Sequence, residues 1–204
     1  MRGTISSAGF ESGDRFVVGR WLRSPVGTTI DVMWARPDGH RVLLAPDDRT
    51  AEFVTAVYSF DEVRLVDFTT DASVQHLDVV AGPVELRLDS GRPWRIPFRR
   101  PRWFTRLVEA PIARAAMGVQ CYGVSPTGVT EWYQADALRW VTAGRARLDG
   151  RDLGSLSSVA PACGFGFSEP PARPSIVEVR PQLRGLVLPR SGVGADEPDD
   201  ALGR

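Results

Sequence analysis

The sequence contains no lysine. All 25 of its basic residues are arginine, and they are balanced by 25 acidic residues. Schiff-base catalysis, attachment of pyridoxal phosphate and the phosphate-binding lysine of a P-loop all require a primary side-chain amine, so these chemistries are excluded. The arginine bias, with abundant alanine, valine and glycine, indicates a GC-rich coding genome. A net charge of zero gives no support to nucleic-acid binding, which normally needs a basic excess.

Cysteine, histidine and long apolar runs are also scarce. Cys121 and Cys163 lie far apart, and His40 and His76 are the two histidines, too few for a disulfide framework or a structural zinc site. We therefore expect no metal and no cofactor. No stretch approaches the roughly 18 consecutive apolar residues of a membrane helix, and the first residues lack the apolar part of a signal peptide. We expect a cytoplasmic protein without a membrane partner.

Short alternating runs separated by turn signals predict a mainly β fold. Val84, Leu86 and Leu88 alternate with charged residues, as in a sheet with one wet face. Turn residues such as Pro37-Asp38-Gly39 join neighbouring runs into hairpins. We predict an antiparallel β-barrel or sandwich of about ten short strands with two helices, an α+β arrangement being the alternative. The expected strands are 15–23, 28–36, 40–45, 62–69, 73–81, 84–88, 92–98, 119–124, 129–137, 145–148, 151–153 and 175–180.

Two segments carry helix signals. Asp47 and Asp48 can cap a short helix from about 49 to 59, whose apolar residues form one face. Pro101 opens a second helix that runs to about 117, with apolar positions at three-four spacing.

The chain shows no internal repeat and no linker between domains. We predict one β-rich domain over residues 1–188. The remaining segment, 189–204, is rich in glycine, aspartate and proline, and we expect a disordered acidic tail.

Arginines cluster around the start of the second predicted helix, with tryptophan among them. Guanidinium groups suit phosphate or carboxylate recognition, and a helix start also favours an anion. The cluster therefore predicts a ligand-binding site, although a solvated rim of paired arginines would look the same in a lysine-free protein. Its members are Arg95, Arg99, Arg100, Arg102, Trp103 and Arg106.

Two pairs of residues are candidates for acid–base chemistry. On extended strands His76 and Asp78 point to one side, and so do Glu131 and Tyr133. An imidazole beside a carboxylate can act as a general base, and a carboxylate with a phenol could line a ligand pocket inside a barrel. A purely structural role on the sheet is the commoner explanation for pairs of this kind.

Four segments resemble an uncharacterised family of proteins from high-GC actinobacteria. The resemblance covers most of the chain up to about Leu183, and it implies no activity, so no functional residue is carried over from it. The segments are Gly19-Arg20-Trp21, Asp31-Val32-Met33-Trp34, Pro37-Asp38-Gly39 and Gly166-Phe167-Ser168-Glu169-Pro170-Pro171.

These observations favour a small-molecule binding protein, in which a β-barrel holds an apolar or anionic ligand. One alternative is an acid–base enzyme of the hydrolase or isomerase type on the same scaffold. A second alternative is a protein–protein interaction module in which Trp103, Phe104 and the glycine- and phenylalanine-containing loop 163–171 dock a partner. A homodimer is compatible with all three.

Overall fold

The computed structural model describes residues 1–73, 75–95, 122–125, 128–166 and 168–186. Together these residues form sixteen β-strands and one α-helix. In chain order the elements are β1 Arg2–Phe10, β2 Arg15–Arg23, β3 Thr29–Ala35, β4 Arg41–Ala45, α1 Asp48–Thr55, β5 Glu62–Leu65, β6 Phe68–Ala72, β7 His76–Ala81, β8 Val84–Ser90, β9 Trp94–Arg95, β10 Tyr122–Val124, β11 Thr130–Trp132, β12 Ala135–Leu148, β13 Arg151–Asp152, β14 Leu156–Ser157, β15 Ser175–Val179 and β16 Gln182–Arg184.

The strands form one large curled sheet and one small sheet. The path through the large sheet is β5-β4-β3-β2-β1-β15-β12-β8-β7-β6, with β9, β13 and β14 pairing at its sides. All its pairs are antiparallel except β4 with β5. The small sheet has the order β10-β11-β16. The prediction of a mainly β fold is confirmed, and the architecture is a half-barrel.

Both faces of the first four strands are buried, each in a different core. Phe16 and Val18 of β2 belong to an inner core that also contains residues of β7, β8 and β12 from the opposite arm of the curled sheet. Val17 and Trp21 of the same strand belong to an outer core, which α1 and the segment 159–165 cover. Because the side chains of a strand alternate, one strand contributes to both cores.

The predicted first helix is present but shorter than expected. Asp47 is its N-cap, and its carboxylate accepts a 2.7 Å hydrogen bond from the backbone N–H of Thr50. The helix ends at Thr55, and the chain leaves it through a turn in which Tyr58 N–H donates to Val54 O at 2.8 Å. The second predicted helix and the predicted acidic tail lie outside the described residues.

Two features of the large sheet differ from the sequence prediction. No strand is predicted in the first ten residues, yet β1 lies in the middle of the sheet. Its glycines weaken the strand signal but are required, since a Cβ at Gly3 would lie 2.3 Å from the carbonyl oxygen of Arg20. The predicted strands 129–137 and 145–148 are also bridged by the long β12, whose two register shifts, at 135–137 and 141–143, interrupt the alternation of its side chains.

Within the described part of the chain, no helix has both the length and the apolar character needed to cross a membrane.

Candidate functional site

An apolar cleft opens on the outer face of the large sheet. It has a volume of about 120 Å³ and lies between strands β1, β2, β3 and β15 on one side and the segment 165–171 on the other. Aliphatic side chains line most of it, including Ile5, Val17 and Val177. Two buried serine hydroxyls add a polar spot, because Ser7 Oγ and Ser175 Oγ are hydrogen-bonded to each other at 3.3 Å.

A smaller chamber adjoins this cleft. Its volume is about 20 Å³, which is room for roughly one water molecule. Asp31 and Glu131 line the chamber but not the cleft, whereas Tyr58 and Tyr133 line both. The two tyrosines therefore form the boundary between an apolar compartment and an acidic one.

Glu131 is the most unusual group in this chamber. It lies on β11, the central strand of the small sheet, and it is 0% exposed while its neighbours Thr130 and Trp132 are half-buried. Neither of its carboxyl oxygens accepts a hydrogen bond of normal geometry from the described residues. Burial raises the pKa of this carboxyl to about 7, and the nearby hydroxyls of Tyr133 and Tyr58 act in the opposite direction by favouring the carboxylate.

Asp31 is the second acid of the chamber. It accepts a 3.1 Å hydrogen bond from Trp21 Nε1, and burial raises the pKa of its carboxyl to about 7, the bond from Trp21 acting against this. Glycine at position 19 is required for this arrangement, because a Cβ there would lie 2.6 Å from Asp31 Oδ1 and 2.9 Å from Trp21 Nε1. Near neutral pH each of the two acids is thus close to the midpoint of its titration.

Tyr58 and Tyr133 are joined by a short hydrogen bond between their hydroxyls. Burial raises the pKa of both phenols well above its ordinary value, and the neighbouring Glu131 carboxylate raises it further. Both phenols therefore stay protonated at physiological pH. Each can donate one hydrogen bond and accept others, so the pair links the cleft to the buried carboxyl through exchangeable protons.

Charged side chains fix the stretch 161–164, which leads into the outer wall of the cleft. Arg15 donates hydrogen bonds to the carbonyl oxygens of Pro161 and Ala162, at 2.6 and 3.2 Å. Glu169, in the wall itself, accepts hydrogen bonds from the backbone N–H groups of residues 163 and 164, at 2.7 and 2.8 Å. Gly166 packs directly on Tyr58, and a Cβ at this position would lie 2.7 Å from the tyrosine ring. The wall and the tyrosine pair are therefore mechanically connected.

The structure does not bring His76 and Asp78 together with Glu131. Both lie on β7, where each pairs with a residue of β8 directly across the sheet. His76 Nδ1 is 2.7 Å from Asp89 Oδ1, and Asp78 forms an ion pair with Arg87 at 3.3 Å. Each of the two side chains therefore has its own partner on β8.

Glu131 and Tyr133 do meet in one chamber. The chamber lies on the outer face of the sheet, beneath α1 and the small sheet, and not inside the half-barrel. Of the arginine cluster, Arg95 is described, and it is exposed on the short strand β9. Arg99, Arg100, Arg102, Trp103 and Arg106 lie outside the described residues.

Sequence reasoning missed two groups of this site, Asp31 and Tyr58. A carboxylate within the apolar run 30–34 is the signal that could have revealed the first, since an acid buried among hydrophobic residues needs a specific partner. The predicted helix 49–59 includes Tyr58, but in the structure the helix ends at Thr55, before this residue.

Among the described residues, neither a nucleophilic thiol nor a cluster of metal ligands adds to this site. Cys163 is buried, and burial together with the nearby Glu169 raises the pKa of its thiol to about 12, so almost no thiolate forms at neutral pH. The part of the chain that the structure describes contains no group of three or more histidine, cysteine, aspartate or glutamate side chains that could hold a metal ion.

The fold is thus a mainly β half-barrel. No protein-family model matches the chain, and no curated protein matches it. Among solved structures, the chain is similar to the crystal structure of acetoacetate decarboxylase from Legionella pneumophila subsp. pneumophila str. Philadelphia 1, at 9% identity over 87% of this chain and 80% of that chain, with a TM-score of 0.39. A likeness of this size carries over neither a residue nor an activity.

Proposed function

We propose that the protein binds a small, mainly apolar molecule with one polar group in the cleft, and that this polar group bonds to the Tyr58–Tyr133 pair. The observation that carries the proposal is an apolar cleft that ends on two phenol hydroxyls, with the buried carboxyl of Glu131 behind them. Binding sites for small molecules typically combine an apolar lining with a few placed polar groups.

The charges of the site favour a neutral ligand over an anionic one. No arginine is among the described residues that line the cleft or the chamber, whereas Asp31 and Glu131 can each carry a negative charge. An anion entering the cleft would lose its hydration and approach these acids without a cation to compensate. A carbonyl or hydroxyl group would instead satisfy the phenols without any cost in charge.

The size of the cleft limits the ligand and its affinity. A buried apolar cavity of about 150 Å³ accommodates benzene, so a cleft of about 120 Å³ suits a body of about six non-hydrogen atoms. With at most about 1.5 kcal/mol per such atom, the dissociation constant should not fall much below roughly a micromolar. The ligand is therefore a compact metabolite or the head of a larger molecule.

Titration with cyclopentanone, followed by two-dimensional NMR, tests the proposal. We expect chemical-shift changes at residues of β1, β15 and the segment 165–171, and weaker changes with cyclopentane, which lacks the carbonyl. Ala135→Phe should fill the cleft and abolish these changes, since Ala135 lines it. Ala143→Phe, on the exposed part of the same strand, is the matched control and should bind normally. Equal binding by both variants would exclude this cleft.

Acid–base catalysis is the second candidate function, and Glu131 favours it. A general acid or base works best with a pKa near the operating pH, and the pKa of this carboxyl is about 7. When Glu131 is protonated, its proton can pass to one phenol while that phenol's proton moves to the second, whose own proton moves to an oxygen of the ligand. A ketone protonated in this way loses an α hydrogen to water and becomes the enol, and the proton that the water gains returns to the Glu131 carboxylate. In the reverse direction the α carbon takes a proton from water and the oxygen returns its proton along the relay, so every proton is accounted for.

The exchange of the α hydrogens of cyclopentanone for deuterium in D₂O distinguishes catalysis from simple binding. If the relay is catalytic, the protein accelerates exchange, and Glu131→Gln removes the acceleration while cyclopentanone still binds. Binding without accelerated exchange would leave the binding function in place and exclude this chemistry.

A further inference from the structure

A second cavity lies on the other face of the large sheet, at one end of the half-barrel. Its volume is about 260 Å³, more than twice that of the cleft. Strands β1, β2, β12 and β15 form its floor, and the end of β6 with the start of β7 closes over it from the opposite arm. We call it the mouth cavity. Thr4 and Ser6 of β1 line it, whereas Ile5 and Ser7 of the same strand line the cleft.

The charges around the mouth cavity do not cancel. Its carboxylates are already paired, because Glu178 contacts Arg139 Nη1 at 2.7 Å and Asp136 contacts Arg180 at 2.5 Å. His76 at the rim is bonded to Asp89.

Two further arginines, Arg2 and Arg20, line the same cavity. Neither forms an ion pair or a side-chain hydrogen bond with any residue in the described ranges. The cavity thus keeps a surplus of two positive charges, which its confined shape concentrates.

Arg139 at the floor of the cavity does not change this surplus. Its side chain is 2% exposed and its charge is balanced by Glu178, although its Nε has no hydrogen-bond partner among the described residues. The positive charge available to a ligand therefore comes from Arg2 and Arg20.

Apolar side chains also line the mouth cavity. Leu22, Leu77 and Ile176 line the cavity, and Leu22 is 47% exposed despite its size. We propose that the mouth cavity binds an organic anion, a carboxylate or phosphate monoester with an apolar body, whose head lies between Arg2 and Arg20 and whose body covers these side chains. Guanidinium groups bind such oxyanions in a planar, two-bond geometry. This site is separate from the cleft and does not depend on its function.

Titration with three probes of similar body tests the site. We expect phenyl phosphate to bind most tightly, benzoate less tightly and neutral benzyl alcohol least, with phenyl phosphate affinity falling as salt is added. Chemical shifts should change along β1 and β2. Equal affinity for the three probes, or no binding of phenyl phosphate, would overturn the proposal.

Arginine variants locate the binding. Arg20→Gln should weaken phenyl phosphate binding by about tenfold or more, because it removes a charge-assisted hydrogen bond. Arg49→Gln makes the same change of charge on the exposed surface of α1 and should bind normally. If Arg20→Gln fails to fold, Arg2→Gln, at an exposed position, tests the same site, and its affinity for phenyl phosphate should also fall. The Ala135→Phe variant should bind phenyl phosphate as the wild type does, and unchanged binding in both arginine variants would contradict the assignment.

Discussion

Replacement of Glu131 by glutamine should change how the stability of the protein depends on pH. In the folded protein the pKa of Glu131 is about 7, against 4.5 for an ordinary glutamate. Between these values the folded state keeps a proton that the unfolded state releases, so the free energy of unfolding falls by about 1.4 kcal/mol per pH unit. Over the interval of about 2.5 pH units, this one carboxyl lowers the stability by roughly 3 kcal/mol. Below pH 4.5 it has no effect, because both states are protonated.

The free energy of unfolding therefore falls with rising pH because of Glu131, whereas a carboxylate in a salt bridge makes it rise. We expect Glu131→Gln to have about the wild-type stability at pH 4.5 and to be more stable by about 3 kcal/mol at pH 8, since the amide never has to ionise inside the protein. Asp31, whose pKa is also about 7, changes the free energy of unfolding with pH by a similar amount in both proteins. It therefore does not affect the difference between them. Glu52→Gln on the exposed side of α1 is the control and should follow the wild-type curve.

Urea unfolding followed by tryptophan fluorescence, at half-unit steps from pH 4.5 to 8.5, measures these free energies. Parallel curves for Glu131→Gln and the wild type would refute the reasoning, because they would mean that Glu131 ionises as freely in the folded protein as in the unfolded chain. A variant that is less stable at every pH would instead assign the carboxyl a structural hydrogen bond.

Two further predictions concern the wall of the cleft. Gly166→Ala should leave the fold intact but weaken cyclopentanone binding by about 1–3 kcal/mol, because the new Cβ would displace the ring of Tyr58; an unchanged titration would contradict this contact. Cys163 should resist labelling by a thiol reagent at pH 8 in the native protein and react once urea unfolds it, since its thiol is buried with a pKa of about 12. Peptide mapping by mass spectrometry identifies the labelled cysteine, and labelling of Cys163 without urea would refute the prediction.

The fold class could be predicted because turn chemistry and alternation are local signals. The hairpin of β3 and β4 follows from Pro37-Asp38-Gly39, where Gly39 adopts a positive φ of 87°. The central strand β1 could not be predicted in the same way. Its glycines are required because neighbouring backbones approach closely at these positions. This requirement depends on the tertiary structure, so local strand propensity does not predict it.

The candidate site was partly predictable for a related reason. Alternation along β11 places Glu131 and Tyr133 on one side, and the structure brings both to the chamber. Asp31 and Tyr58 come from distant parts of the chain, and only the packing of β3 and the turn after α1 against β11 makes them neighbours. His76 and Asp78 satisfy the same alternation rule, but the register of β7 with β8 gives each its own partner. Alternation selects a face of a strand, while register selects the neighbour.

The position of β1 also has a consequence for biosynthesis. Strand β1 pairs on one side with β2 and on the other with β15, which joins residues 3–7 to residues 175–179. At roughly 5–20 residues per second, a ribosome needs about 10 to 30 seconds between making these two strands. During that time one edge of β1 has no partner, and the two arms of the half-barrel are not yet joined. The large sheet can close only when β15 pairs with both β1 and β12. This step is slow because it is non-local, and until it occurs the unpaired edges of β1 and β12 are open to other nascent chains.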